Sequence, residues 1–435
     1  MNLLATELNN TIQTKAPAIY KMLSRLGLEM FMPKGILSQG AEAKKKATKF
    51  NATLGIATTA QGPMFLDCVY ENLTAFMPQE IFTYAPPAGV DELRMLWQKR
   101  IYDASPCLTG KSISLPVTTN ALTHGLSIVA DLFCNEGDYV VLPDKFWGNY
   151  RMTFSVRRGG ILSTFTAFNQ EGGFNVDGLL DKVRECSKLK PKVIVLLNFP
   201  NNPTGYTPTK TEAEKLATGL RQIAENGVQL VCVVDDAYYG MIYENDCMAE
   251  SIFGLLTEAG DNLLAVKLDG ATKELFVWGF RVGFITFGAT NSSGQEDMLN
   301  ALVEKVKGNI RGDISNSSHL SQTAILKALK HPEIKAQVAK NVAILKGRAL
   351  LSKKLLNSGK YSDRFIMYPF NSGYFLCLKV LGVDTEKLRV YLLDNYGVGT
   401  ISTSSTDLRI AFSCVEEDNI EELFDIIYKA VGELK

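Results

Sequence analysis

Short apolar runs and longer amphipathic stretches alternate through the middle of the chain. Residues 138–142, 192–198, 229–236, 263–269 and 282–287 are strand candidates. Several, such as 192–198, are apolar nearly throughout rather than at every second position. Strict alternation marks a strand wet on one face, whereas a continuous apolar run marks one covered on both. Between the runs, residues 209–226 read as a helix, with Thr209 and Glu212 spaced as a capping box and Gly227 as the stop. Residues 121–134 place Leu122, Leu126, Val129 and Phe133 on one helical face. This alternation predicts an α/β layer architecture with a mostly parallel sheet.

Beyond residue 335 the pattern changes. A long helix is expected over 336–357, strands over 373–380 and 407–413, and a last helix over 416–433. These define a smaller α+β domain. The expected division is an N-terminal segment, 1–62, packing on the small domain, a large domain, 63–335, and the small domain, 336–435.

Composition narrows the field of functions. A chain of 435 residues with 46% hydrophobic content suits about two domains. Basic and acidic residues balance at 46 each, without a long block of either sign, so neither nucleic acid nor an anionic membrane is an expected partner. Eight cysteines include no Cys-x-x-Cys pair and there are only three histidines, so no metal cluster is expected. Scattered thiols suit a reducing, cytoplasmic setting. The N-terminus lacks the basic-then-apolar order of a secretory signal, and no apolar run reaches the roughly 20 residues of a membrane span.

Three segments carry candidate chemistry. Asn-Phe-Pro-Asn-Asn-Pro-Thr-Gly at 198–205 follows an apolar strand and precedes a helix, at the strand end where open α/β sheets bind ligands. A strand-to-helix turn alone would explain part of this composition. Val-Val-Asp-Asp-Ala-Tyr-Tyr at 233–239 brings Asp235 out of an apolar strand, where a carboxylate needs a cationic partner or suffers desolvation. At 269–284, Lys273 stands eight residues before Arg281. A lysine whose pKa is lowered by its setting suits Schiff-base chemistry, and an arginine suits a phosphate dianion. Lys267 is a rival lysine but lies within the preceding strand pattern.

In this order the three segments resemble the class I/II aminotransferases of the pyridoxal-phosphate (PLP)-dependent fold type I, the aspartate/aromatic branch, over roughly residues 50 to 415. The resemblance implies a large domain with a mostly parallel seven-stranded sheet flanked by helices, and PLP (pyridoxal 5'-phosphate) as cofactor. It implies that Lys273 carries the cofactor and moves the substrate proton, that Asp235 pairs with the pyridine nitrogen, that Asn202 and Tyr238 bond the ring oxygen, and that Arg281 holds the phosphate. Residues 118–126 resemble the phosphate loop, giving the backbone N–H groups of Ala121, Leu122 and Thr123, with the Thr123 hydroxyl, to the phosphate. Residues 143–150 resemble the segment of the ring-stacking aromatic, assigned to Trp147, with Phe146 the alternative. Residues 82–89 resemble the stretch whose tyrosine, here Tyr84, reaches the partner subunit's cofactor, which implies a homodimer with shared active sites. Arg409, in 408–413, matches the arginine gripping the substrate α-carboxylate.

The chain departs from that family at named places. Ala57 stands in the substrate-side loop, 51–58, where glycine is common, and narrows the expected pocket. Gly270 replaces the usual Ser or Thr three residues before the lysine, leaving Thr272 as the candidate substitute hydroxyl. Residues 308–318 resemble the loop of the arginine that binds a distal carboxylate in the partner subunit's active site, here Arg311, followed by Ser315 and Asn316. The resemblance implies transfer of an amino group from an L-amino acid, aspartate/glutamate or aromatic, to a 2-oxo acid by a ping-pong mechanism. Two other readings share the fold: a lyase or synthase, and a non-enzymatic PLP-sensing regulator. The regulator would carry an N-terminal helix-turn-helix module, and no basic stretch precedes the fold.

Overall fold

The computed structural model describes residues 2–31, 36–257, 259–289 and 295–435. Its centre is a seven-stranded sheet: β1 (Val117–Asn120), β2 (Tyr139–Pro143), β3 (Ile161–Phe165), β4 (Lys192–Asn198), β5 (Gln229–Asp235), β6 (Leu263–Asp269) and β7 (Val282–Ala289), in spatial order β1-β7-β6-β5-β4-β2-β3. Strands β2 to β6 pair in parallel, and β7 runs antiparallel to both of its neighbours. The apolar runs of β4 and β5 account for their central place. Val193 to Leu197 and Leu230 to Val234 are all buried, as strands covered on both faces must be.

Strands β4 and β6 occupy the spans expected of them, and β5 ends one residue sooner. The helix at Lys210–Glu225 starts on the foreseen capping box: Thr209 Oγ1 accepts from the Glu212 N–H, and the Glu212 carboxylate accepts from the Thr209 N–H. Edge strand β3 and the short polar β1 were not foreseen. Threonine and asparagine in β1 and the mixed exposure of β3 give no period to read.

A second, antiparallel sheet follows: β8 (Phe365–Met367), β9 (Phe375–Val380), β10 (Ile401–Ser402) and β11 (Asp407–Ala411), in order β8-β9-β11-β10. β11 is shorter than expected because residues 412–414 turn into a 3-10 helix. The flanking helices are Ile334–Leu356 and Ile420–Leu434, the latter preceded by a 3-10 turn at 417–419. Residues Phe50–Asn51 pair in parallel with Val398–Gly399, and Gln39 exchanges hydrogen bonds with the Ser402 backbone, so this part of the N-terminal segment packs on the small-sheet unit. Among the described residues, no helix is long and apolar enough to cross a membrane.

Candidate active site

The carboxyl ends of β1, β4, β5 and β6 open into one cavity of about 340 Å3, closed on the other side by residues from the small sheet. At the end of β4, the Asn198 side chain donates to the Asp235 carbonyl at 2.9 Å and accepts from the Asn202 N–H at 2.8 Å. The tips of β4 and β5 and the Asn-rich turn are thereby held as one piece. Gly205 completes that turn with φ +75°, where a Cβ would come within 2.0 Å of the Phe375 carbonyl oxygen. Only glycine lets the turn approach β9 this closely.

Asp235 is buried and accepts from the Tyr150 hydroxyl at 2.6 Å and from the Ala237 N–H at 3.1 Å. Burial pushes its carboxyl above the ordinary range despite those donors and nearby Lys273. Lys273, in the turn after β6, has its amine pushed down to about 8, first by burial and also by Arg281, against the opposing pull of Asp235. Its Nζ lies 5.0 Å from the centre of the Tyr238 ring.

Arg409 on β11 is 1% exposed. Nη1 donates to Asn202 Oδ1 at 3.0 Å and Nη2 to the Thr53 carbonyl at 3.0 Å, while Nε has no partner. The guanidinium rests 4.2 Å above the Phe375 ring. Burial lowers its pKa to about 10. A buried guanidinium bonded only to neutral oxygens is suited to an anion.

At the other end, helix Ala121–Phe133 begins beside the cavity with no side-chain cap from Asn120. Its first N–H groups, on Ala121, Leu122 and Thr123, are the unpaired donors of a helix start and line the cavity. Ala121 enters the helix with φ 61°, in the left-handed region. Arg281, also at φ 55°, lines the same end. Gly270 has a plain reason: a Cβ there would sit 2.6 Å from the Val282 carbonyl oxygen and 2.7 Å from Gly283 Cα. Serine or threonine does not fit, and Thr272 lines the cavity instead.

Lys273, Asp235, Tyr238, Asn202, Arg281, Arg409, Trp147 and the phosphate-loop residues are thus brought to one cavity. Ala57 is not, and Arg311 and Tyr84, expected to reach a partner subunit's site, lie outside the cavity of their own chain. Ala57 is fully buried in the core and its carbonyl accepts from Met64, while Gly55 and Ile56 face the cavity in its place. Arg311 lies in the last turn of helix Gln295–Asp313 rather than in a loop, with Nη1 donating to Ser315 Oγ at 2.6 Å. Buried Leu299, Val303, Val306 and Ile310 carry the helical period through Gly308. Tyr84 is 89% exposed, outside the cavity of its own chain. Phe146 is likewise not on the lining, whereas Trp147 is. Sequence reasoning missed Tyr150, three residues after Trp147 and packed edge-on against it at 5.6 Å, as well as Trp278 and Phe375. Trp278 and Phe375 stand in apolar runs that read as ordinary core, and nothing local marks Tyr150.

The sheet order, with a lysine, an aspartate and an arginine gathered at the strand ends, defines the class: an amino-group transferase of fold type I. Residues 53–427 match the model for aminotransferase class I and II, and the chain belongs to that family. It is 24% identical over 400 residues to a probable aspartate/prephenate aminotransferase of Aquifex aeolicus, a match covering 89% of this chain and 94% of that protein. Among solved structures, an aminotransferase from Anaerococcus prevotii superposes with a TM-score of 0.81 at 22% identity, over 92% of this chain and 96% of that one. The Thermus thermophilus aspartate aminotransferase with maleate gives 0.73 at 20%, over 94% and 99%. These two likenesses establish the fold.

Proposed function

We propose that this aminotransferase binds pyridoxal phosphate in the cavity and works as a homodimer on an L-amino acid and a 2-oxo acid. The observation that supports it best is Arg409, a buried guanidinium without a carboxylate, facing the same cavity as Asp235 and Lys273. The residues fit the cofactor. Asp235 is a buried carboxyl with an upward-shifted pKa, which a protonated ring nitrogen would return to its charged form. The uncapped N–H groups at Ala121 to Thr123, with Arg281, suit a phosphate.

When bound, the cofactor supplies the electron sink for charge developing at the substrate Cα and carries the amino group between the two half-reactions. The protein's own groups do the rest. Lys273 would hold the cofactor covalently, and its amine, lowered to about 8, would take and return the proton at the substrate Cα near neutral pH. Arg409 binds the α-carboxylate and fixes which Cα bond breaks. Asn202 orients Arg409 and, with Tyr238, would bond the ring oxygen. Trp147, on the cavity wall, would cover the ring and limit water. Exposed Phe82 and Tyr84 suit a second copy of the chain, which supports the shared-site dimer. Eight free cysteines suit the cytoplasm.

The family's acidic and aromatic donors remain the proposed substrate class. In the test, purified PLP-loaded protein is mixed with common L-amino acids, following its visible absorbance, and then with 2-oxo acids. Loss of the band with a donor and its return with an acceptor is expected. Ammonia and pyruvate released without any acceptor would replace transfer by elimination.

A further inference from the structure

We propose that Lys145 and Asp407 form a clasp between the two sheets that sets Trp147 against Arg409, and so governs how tightly the amino-acid substrate is gripped. The inference rests on the reading of Arg409 as the carboxylate-binding group.

Lys145 follows β2 and precedes Trp147 by two residues. Asp407 opens β11 and precedes Arg409 by two. Lys145 Nζ lies 3.0 Å from Asp407 Oδ2 and 3.0 Å from Asp144 Oδ2. The other Asp407 oxygen accepts from the Tyr368 hydroxyl at 2.8 Å. The Tyr368 ring lies between the two units, with Lys145 Nζ 5.1 Å from its centre and Phe168 stacked at 6.1 Å. Burial alone would raise the Asp407 carboxyl, but Tyr368 and Lys145 outweigh it and hold the pKa below the ordinary value. The pair is therefore ionised at neutral pH.

The contacts close on themselves. The Lys145 carbonyl accepts from the Asn201 side chain at 3.2 Å. Asn201 adjoins Asn202, whose side chain accepts from Arg409, and β11 runs from Arg409 back to Asp407. This ring joins the segment bearing the aromatic cover, the turn bearing Asn202 and the strand bearing Arg409. A charge pair across the sheets is the link in it that side-chain substitution severs most cleanly. It touches no lining residue directly and would act through Trp147 and Arg409, so both members are positioning residues.

The test uses Asp407→Asn, Lys145→Met and Lys145→Arg in the full chain, with whichever L-amino acid bleaches the native visible band fastest. KM for that donor should rise about tenfold in the first two, with kcat changed less than about threefold and cofactor content unaltered. Lys145→Arg should return KM to within about twofold of native. An unchanged KM in both severing variants, or an arginine variant as impaired as the methionine one, overturns the clasp. In the cofactor-free protein, amide exchange should speed up together at 143–147 and 407–411 in Asp407→Asn. Faster exchange confined to 405–408 would also overturn it. A native chain that takes up no pyridoxal phosphate sinks the cofactor reading and leaves the exchange measurement to decide the clasp.

Discussion

Asp235 and Asp236 are neighbours in sequence, as are Lys273 and Glu274, yet the two members of each pair meet opposite surroundings. Asp235 and Lys273 line the cavity. Asp236 and Glu274 turn into a buried cluster behind it. There Lys267 pairs with Asp236 and lies 3.4 Å from Asp269, Ser251 donates to Asp236 at 2.6 Å, Trp97 donates to Asp269 at 3.0 Å, and Arg100 meets Glu274 at 2.8 Å. The cluster satisfies its charges almost wholly within the chain. The cavity does not: Arg409 has only neutral acceptors, Asn202 Oδ1 and the Thr53 carbonyl. Charge that serves the fold is matched inside the chain, whereas charge that serves chemistry is left for a ligand to match.

The contrast also resolves the two lysines. Lys267 is buried between two carboxylates, and its amine is raised, because Asp236 and Asp269 outweigh burial. Lys273 is lowered because burial outweighs Asp235. Replacing Lys273 with alanine should therefore remove the visible cofactor band and cut turnover at least about 10^4-fold, with Lys267 giving no rescue. A band that survives would end the comparison. Arg409→Ala should lower kcat/KM for the best donor by roughly 100- to 1000-fold while the cofactor band stays, measured by steady-state kinetics.

On the matched side the expected loss is in stability. Lys267→Met leaves two buried carboxylates facing each other and should cost about 3–5 kcal/mol in denaturant unfolding. Glu274 gives the pH signature. Burial, and then Asp269, outweigh Arg100 and raise its folded pKa from the ordinary 4.5 to about 7. A carboxyl with a raised folded pKa contributes stability that is complete below about 4.5 and lost as pH rises to about 7. Thermal melting should show that decline in the native protein and a shallower one in Glu274→Gln. The smallest effect belongs to Tyr150→Phe, which removes the hydroxyl from Asp235 and should weaken cofactor binding by about tenfold.

Much of this was legible because the signals were continuous. The apolar runs of β4 to β6 and the capping box at Thr209 are local, and local physics decides them. The lysine, aspartate and arginine positions followed from resemblance along the chain. Their partners did not. Tyr150 reaches Asp235 across 85 positions and Trp97 reaches Asp269 across 172, and no periodicity records such meetings. Arg311 stands on a helix rather than in the loop the resemblance implied, because the apolar face of Leu299, Val303, Val306 and Ile310 runs on through Gly308, which sits in open space. Ala57 was expected at the pocket wall from the resemblance of residues 51–58 to a family loop, and so short a loop has no period to show which residue turns inward.

Gly270 carries a practical consequence. An engineer restoring the commoner serine or threonine there would be trading a hydroxyl for a collision, since strand β7 lies where the new carbon must go. The neighbouring strand would have to retreat and carry Arg281, at its root, with it. In this chain the backbone packs so closely at Gly270 that family averages are a poor guide to improving that end of the cavity.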